Sequence, residues 1–209
     1  MVKDADAPVY SLLNKNRLEA LTDGIFAFAL TLLVLNIEVP SELPVPLPDQ
    51  PVQALLLHLT PDFIQYFTAF LVLASFWFSH HLFFNKIRYV DRTMTWLSIF
   101  GLLFVALIPF STELSDTYTD FPLAALIFEL NVLVIGILFI WEWKYASHRD
   151  RLLEADFSDV EKKRTENRLA VLPVVALIGV LLAVIGFTRS TMVFFFLPLI
   201  YLSLSWIKD

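Results

Sequence analysis

The sequence of 209 residues contains no cysteine and little charge. Without cysteine the chain has no disulfide, no thiolate metal site and no cysteine nucleophile. Charged residues make up 17% of the chain and hydrophobic residues 57%. An ordinary soluble domain is about 25% charged and about 45–50% apolar. These proportions exclude a disordered segment, collagen and a coiled coil, and they disfavour a soluble globular fold.

Sequence signatures of several common activities are also absent. The chain has no TVGYG-type filter, no GxxxxGK[ST] or GxGxxG nucleotide loop, and no HExxH or GxSxG motif. Its net charge of −6 disfavours a nucleic-acid partner, because nucleic-acid-binding proteins present a basic face. We therefore expect a protein that is not an enzyme and that carries no cofactor.

Long apolar runs dominate what is present. About 20 consecutive apolar residues cross a bilayer core of about 30 Å as an α-helix. Six stretches qualify or nearly qualify, at approximately residues 18–39, 63–84, 94–110, 123–143, 169–187 and 191–207. The sequence thus predicts an all-α membrane protein, with residues 1–209 forming a single six-helix transmembrane domain.

The basic residues are distributed asymmetrically between the connections. Fourteen of the 15 Lys and Arg residues lie in the termini or in the second and fourth connections, and only Arg189 lies on the opposite side. The positive-inside rule therefore predicts an even number of spans, with both termini in the cytoplasm. We expect the chain in the plasma membrane. The outer connections are acidic, and they either concentrate cations or are ordinary polar loops. These acidic residues are Glu38, Glu42, Asp49, Asp62, Glu113, Asp116 and Asp120.

Two connections contain further structural signals. The proline-rich first connection cannot be one continuous helix, although Val52–Leu59 suits a short interfacial helix. In the fourth connection, Ser158 and its neighbours are suited to cap a short charged helix that carries Glu161.

Ionisable residues at membrane depth are functional candidates because their burial is costly. Asp23 in the first span and His80 and His81 in the second are predicted at the same depth, because the two helices run antiparallel. A direct contact between Asp23 and one histidine would form a clasp between helices or subunits, a proton relay or a metal site. Adjacent histidines point about 100° apart on a helix, which disfavours chelation. Glu129 and Asn131 in the fourth span are further candidates.

One face of the first span combines apolar and hydroxyl side chains. Residues at steps of three and four share a helix face. This face carries Gly24, Phe28, Thr31, Leu35 and Glu38. It is also consistent with an ordinary packed helix in which Thr31 bonds to its own backbone.

Several motifs together resemble the transmembrane protein 175 family, the prokaryotic relatives of the lysosomal potassium channel. Residues 17–35 read RLEALTDGIFAFALTLLVL and resemble that family's first-helix signature RxxxFSD. Residues 76–83 read FWFSHHLF and are similar to its W-x-x-H-H pattern. Asp91-Arg92 followed by residues 107–112, LIPFST, is similar to its D-R…P-F-x-T pattern.

The resemblance implies a homotetrameric cation channel in which the first helices surround a pore. It implies apolar rings at Phe28, Leu32 and Leu35, a hydroxyl ring at Thr31, and no metal other than permeating potassium. A polar network would include the signature positions and the second-helix Trp and His. On this chain those residues are Arg17, Thr22, Asp23, Trp77, His80 and His81. The chain departs from the family pattern at Leu21 and at Phe28, where the family usually has Phe and Ile or Leu respectively.

These observations predict a potassium-permeable channel with a hydrophobic constriction and modest selectivity for K⁺ over Na⁺. Apolar rings block ions by dewetting, and the Thr31 hydroxyls would be the only midspan ligands. A proton-coupled secondary transporter that uses Asp23 and His80 or His81 is the alternative, and an accessory membrane protein without transport is a third. We expect K⁺ and other monovalent cations, the lipid bilayer and further copies of the chain as partners.

Overall fold

The computed structural model describes residues 15–40, 51–154 and 157–206, and these residues are predominantly helical. The described α-helices are α1 Lys15–Leu32, α2 Pro51–His58, α3 Thr60–Phe84, α4 Arg92–Ala106, α5 Ile108–Thr117, α6 Pro122–Ser147, α7 Asp159–Leu169, α8 Val171–Val184 and α9 Leu197–Trp206. Three 3-10 segments, Leu33–Asn36, His148–Asp150 and Ser190–Phe196, extend α1, extend α6 and precede α9. Both chain termini lie outside the described residues.

Five described helical stretches are long and apolar enough to cross a membrane. They are Lys15–Asn36, Thr60–Phe84, Arg92–Thr117, Pro122–Asp150 and Asp159–Val184. The sixth predicted span is a shorter apolar stretch, Ser190–Tyr201, in which a 3-10 segment precedes α9. The chain is therefore an all-helical, multi-pass membrane protein with five full-length candidate spans in its described part.

Proline positions explain where two of the long stretches are interrupted. The third stretch is interrupted at Leu107, between α4 and α5, because Pro109 has no N–H to donate to the preceding turn. Helicity resumes at once and continues to Thr117, beyond the predicted end at residue 110. The fifth stretch joins α7 to α8 through Ala170, three residues before Pro173.

The helices predicted in the first and fourth connections are both present. Helix α2 occupies Pro51–His58, close to the predicted interfacial segment. Helix α7 begins with a reciprocal capping box. Ser158 Oγ accepts from the Glu161 backbone at 3.3 Å, and Glu161 Oε2 accepts from the Ser158 backbone at 3.0 Å. The prediction of a helix capped by Ser158 is confirmed.

Helix α6 is the centre of the bundle. Its side chains Phe128, Phe139 and Trp143 are fully or almost fully buried. It approaches α8 so closely that a Cβ at Gly136 would lie 2.8 Å from the Pro173 ring. Small residues allow this kind of close helix contact in a membrane, where apolar transfer gives little driving force.

The second and fourth connections meet at the same end of the bundle. The backbone N–H of Arg88 donates to the carbonyl of Leu152 at 2.7 Å, and that of Glu154 donates to Lys86 at 3.0 Å. The two connections that carry most of the basic residues are therefore side by side.

Candidate functional site

Helix α1 has one face that packs into the bundle and one that does not. The packed face is formed by Leu18, Thr22, Phe26, Ala29 and Leu33. The opposite face is a row of exposed residues at alternating steps of four and three, which we call the α1 stripe. The α1 stripe consists of Arg17, Leu21, Gly24, Phe28, Thr31, Leu35 and Glu38.

The α1 stripe is unusually exposed for a membrane-spanning helix. Phe28 is 66% exposed and Leu35 is 70% exposed. Among the 18 most apolar consecutive residues of the first span only 28% are buried, whereas the corresponding share is 39% to 50% in the other four spans. The single chain therefore leaves one whole face of its first helix without a protein neighbour.

The chemistry of the α1 stripe changes along its length. Charged residues stand at its two ends, Arg17 and Glu38, while apolar side chains flank the hydroxyl of Thr31 near its middle. That hydroxyl donates to the carbonyl of Phe28 at 2.8 Å, so its oxygen lone pairs stay free to accept. Phe28 and Leu35 are about 12 Å apart along the axis, because the 3-10 segment after Leu32 rises faster than an α-helix.

Leu32 is the one predicted ring residue that lies off the α1 stripe. It is half-buried, whereas Phe28, Thr31 and Leu35 are exposed. Leu32 follows Thr31 directly, so its side chain points about 100° away from that of Thr31.

A polar belt joins α1 to α3 at the level of the first-helix signature. The Trp77 indole N–H donates to Asp23 Oδ1 at 2.9 Å. The Trp77 ring stacks on His81, with centroids 5.7 Å apart and an angle of 22° between the planes. His81 Nε2 is in turn 3.1 Å from Asn85 Nδ2. We call Asp23, Trp77, His81 and Asn85 the polar belt.

The polar belt differs from the predicted contact between Asp23 and a histidine. Trp77, not His80 or His81, is the hydrogen-bond partner of Asp23. His80 is buried among aromatic rings, with its centroid 4.9 Å from both Phe83 and Phe84. Adjacent side chains on α3 point about 100° apart, and His80 packs against Phe139 of α6, with ring centroids 5.3 Å apart, so His81 is the histidine that stacks on Trp77.

The other signature residues lie outside the polar belt. Thr22 is buried and donates back to the carbonyl of Leu18 at 2.9 Å, so it serves the packed face of α1. Arg17 is exposed on the α1 stripe. The structure thus brings together three of the six predicted network residues, Asp23, Trp77 and His81.

Sequence reasoning missed the contact that anchors the far end of α1. Asn36 Nδ2 donates to the carbonyl of Pro109 at 3.0 Å. The donor lies in the 3-10 segment that extends α1, and the acceptor lies in the first turn of α5. The polar belt holds α1 at its middle, and the Asn36 contact holds the far end of the first span.

Two buried carboxylates on α6 are separate from α1. Glu129, a predicted candidate, has no exposed surface and packs closely against Gly179. Glu142, which the sequence analysis did not single out, accepts a hydrogen bond from Ser98 on α4. Asn131, the other predicted candidate, donates to Ser111 at 3.2 Å. In the part of the chain that the structure describes, no three acidic, His or Cys side chains form a metal-binding group.

Comparison with known proteins places these features in a family context. Residues 17–109 match the family described as "Endosomal/lysosomal potassium channel TMEM175". The chain is 35% identical over 150 residues to a potassium channel of Chamaesiphon minutus, which covers 69% of this chain and 73% of the relative. It is 29% identical over 163 residues to a potassium channel of Streptomyces collinus, and this match covers 74% of this chain and 75% of the relative.

A solved structure agrees over nearly the whole chain. The crystal structure of a lysosomal potassium-selective channel TMEM175 homolog from Chamaesiphon minutus superposes with a TM-score of 0.74 at 28% sequence identity. The match covers 91% of this chain and 97% of that one. The matched region of the family includes both the α1 stripe and the polar belt.

Proposed function

Because the chain belongs to the TMEM175 family of ion channels, which are not enzymes, we propose that it is a potassium-permeable cation channel with its pore on the α1 stripe. The observation that carries the proposal is the exposure of that stripe in a single chain. A helix that faced only lipid would gain nothing from a row containing Arg17, Gly24 and Thr31, since polar groups are costly in hydrocarbon. When α1 faces the α1 helices of further copies of the chain, their stripes together surround an aqueous path.

The proposed assembly is a homotetramer with four α1 helices around one axis. One helix face cannot enclose a pore, so the proposal requires further copies of the chain. The polar belt and the Asn36 contact support this arrangement, because they hold α1 against its own bundle while its other face stays open.

Within the proposed pore, Phe28 and Leu35 form apolar rings on either side of the Thr31 hydroxyls. Narrow apolar rings exclude water and so block ions, which makes them a gate. Leu32, at the edge of the stripe, enters the constriction if α1 rotates about its axis. Since Thr31 supplies the only hydroxyl on the stripe at this depth, we propose that selectivity for K⁺ over Na⁺ is modest.

We propose six crossings, with both termini in the cytoplasm of a plasma-membrane protein. The stretch Ser190–Trp206 supplies the sixth crossing. Its seven 3-10 residues and ten α-helical residues give a length of about 29 Å, close to the hydrocarbon thickness of about 30 Å. The positive-inside asymmetry and the adjacency of the basic second and fourth connections support this topology.

Ion flux from reconstituted liposomes tests the proposal. We expect potassium flux to exceed sodium flux in the wild type, Leu35→Ala to raise the flux of both ions, and Thr31→Ala to reduce the ratio between them. Thr68→Ala is the matched control, because Thr68 is buried on α3 and makes the same kind of backbone hydrogen bond, to Ile64 at 2.8 Å. Absence of flux at every voltage and pH, or equal effects of the Thr31 and Thr68 variants, would contradict the proposal.

The polar belt supports a second candidate, a proton-coupled transporter. Asp23 on α1 and His81 on α3 both contact Trp77, and ionisable residues at membrane depth are a feature of proton-coupled transporters. Such a transporter would show saturable, substrate-coupled flux and no single-channel steps. Single-channel recording therefore separates it from the channel.

A further inference from the structure

A cavity of about 570 Å³ lies along α3 beside residues other than those of the polar belt. It is bounded by α3, by the C-terminal part of α7 and by α9. Its volume falls within the range of about 300–1,000 Å³ that is typical of small-molecule sites. Neither the α1 stripe nor the polar belt contributes a residue to it.

The cavity runs along α3 for slightly more than the thickness of one membrane leaflet. Its walls run along α3 from Leu71 to Phe83 and reach Lys86, just beyond the helix end at Phe84. From Leu71 to Phe84 the helix rises about 20 Å, whereas one leaflet of hydrocarbon is about 15 Å thick. The walls along this length are mainly apolar, and at Phe78, which is 54% exposed, the cavity meets the surface of the chain.

The end of the cavity near the basic connections is positively charged. Lys86 and Arg168 both line it there, together with the buried Thr165. Lys86 Nζ donates to the Thr165 hydroxyl at 2.6 Å, and its ammonium lies 5.6 Å from the Trp143 ring centroid. Among the residues that the structure describes, no ion pair joins Lys86 or Arg168 to a carboxylate.

The electrostatics at this end favour an anion. Burial lowers the pKa of Lys86, as do the neighbouring positive charges of Arg168 and Arg164, while the Glu161 carboxylate raises it. A bound anion would relieve the repulsion between these cations. Basic pockets beside apolar surface at the cytoplasmic side of a membrane bind anionic lipid headgroups for the same reason.

We propose that this cavity binds one anionic glycerophospholipid, with an acyl chain along α3 between Leu71 and Phe83 and its phosphate at Lys86 and Arg168. The acyl chain fills the apolar length, and the phosphate supplies a negative charge, which no side chain lining the cavity carries. The site is separate from the proposed pore, so the lipid-binding proposal does not depend on the channel proposal.

Native mass spectrometry of the purified, full-length protein with added phosphatidylglycerol or phosphatidylcholine tests the proposal. We expect phosphatidylglycerol to bind more tightly than phosphatidylcholine. Lys86→Gln and Arg168→Gln should each weaken phosphatidylglycerol binding about fivefold, the cost of one basic contact at a membrane surface. Arg88→Gln, an exposed cation in the same connection but outside the cavity, should bind like the wild type.

A second variant tests the apolar part of the site independently of charge. Ala74→Phe introduces a ring into the cavity wall and should reduce binding of phosphatidylglycerol without altering the basic end. Helix content and elution volume show whether Lys86→Gln folds. If it does not fold, Ala74→Phe still tests the proposal.

Three results would overturn the proposal. The first is equal phosphatidylglycerol binding by the wild type, Lys86→Gln and Arg168→Gln. The second is a loss of phosphatidylglycerol binding with Arg88→Gln equal to that with Lys86→Gln and Arg168→Gln, which would mean only general attraction of the lipid to a basic surface. The third is unchanged binding by Ala74→Phe together with displacement of the lipid by inorganic phosphate, which would mean a free-anion site.

Discussion

Two phenylalanines that stand two positions apart on α1 allow the assignment of its faces to be tested directly. Phe26 is 1% exposed and packs into the bundle, whereas Phe28 is 66% exposed on the α1 stripe. Residues two apart on a helix point about 200° apart, so the same substitution can be made on opposite faces with little change in depth. We therefore compare Phe26→Ala with Phe28→Ala.

The two substitutions should differ in their effect on the free energy of unfolding of the chain. Truncating a buried Phe to Ala costs about 3–5 kcal/mol in soluble proteins, through lost transfer energy and the cavity left behind. Lipid is as apolar as a protein core, so less transfer energy is lost in a membrane and we expect about 3 kcal/mol for Phe26→Ala. Phe28→Ala leaves no cavity within the chain and should cost less than about 0.5 kcal/mol.

The order of the two variants should be reversed for cation flux, with Phe28→Ala having the larger effect. If Phe28 forms an apolar ring, Phe28→Ala widens the constriction and raises cation flux in liposomes, while folded Phe26→Ala protein conducts like the wild type. Unfolding is followed by circular dichroism in one detergent at one protein concentration. Equal destabilisation by both variants, or unaltered flux with Phe28→Ala, would refute the assignment of the α1 stripe to a pore.

Three further predictions concern individual contacts. Gly136→Ala should lower the unfolding free energy by about 1–3 kcal/mol in chemical denaturation, because its Cβ would lie 2.8 Å from the rigid Pro173 ring. A double-mutant cycle with Asp23→Ala and Trp77→Phe should give a coupling energy of about 0.5–1.5 kcal/mol, the usual net contribution of a hydrogen bond, since the bond between them is exposed. Ser158→Ala should destabilise the first turn of α7 by about 1 kcal/mol through loss of its cap, measured by hydrogen exchange of that turn.

Each of these predictions has a contradicting result. An unchanged denaturation midpoint for Gly136→Ala would mean that α6 and α8 pack less closely than described. Strictly additive effects of the Asp23 and Trp77 substitutions would mean that the polar belt makes no energetic link between α1 and α3. Equal exchange rates in wild type and Ser158→Ala would mean that other groups cap α7.

Much of the helical layout follows from local sequence properties. Long apolar runs predict helices because a backbone in hydrocarbon must satisfy its own hydrogen bonds. The stretches centred on α3 and α6 are accordingly close to the predicted ranges. The third stretch runs further than predicted, to Thr117, because Pro109 stands in the first turn of α5, where a missing N–H is tolerated, and the following residues remain helical.

The candidate site was only partly predictable, since its contacts depend on how helices rotate against one another. The three-and-four spacing identified Phe28, Thr31 and Leu35 as sharing a face, and these residues are exposed together. Spacing alone could not decide which histidine faces α1. Packing of α3 against α6 places His80 beside Phe139, so His81 takes the position next to Trp77.

The sequence by itself determined that this chain is a helical membrane protein and which residues share a face of α1, because hydrophobicity and helical period are local properties. Tertiary structure decided which of those faces is buried, which partner Asp23 has, and that Lys86 and Arg168 meet at one end of an apolar cavity. These are contacts between residues far apart in the sequence, and they follow from the relative rotation and depth of whole helices. Packing of the bundle sets that rotation and depth, and no local pattern encodes it.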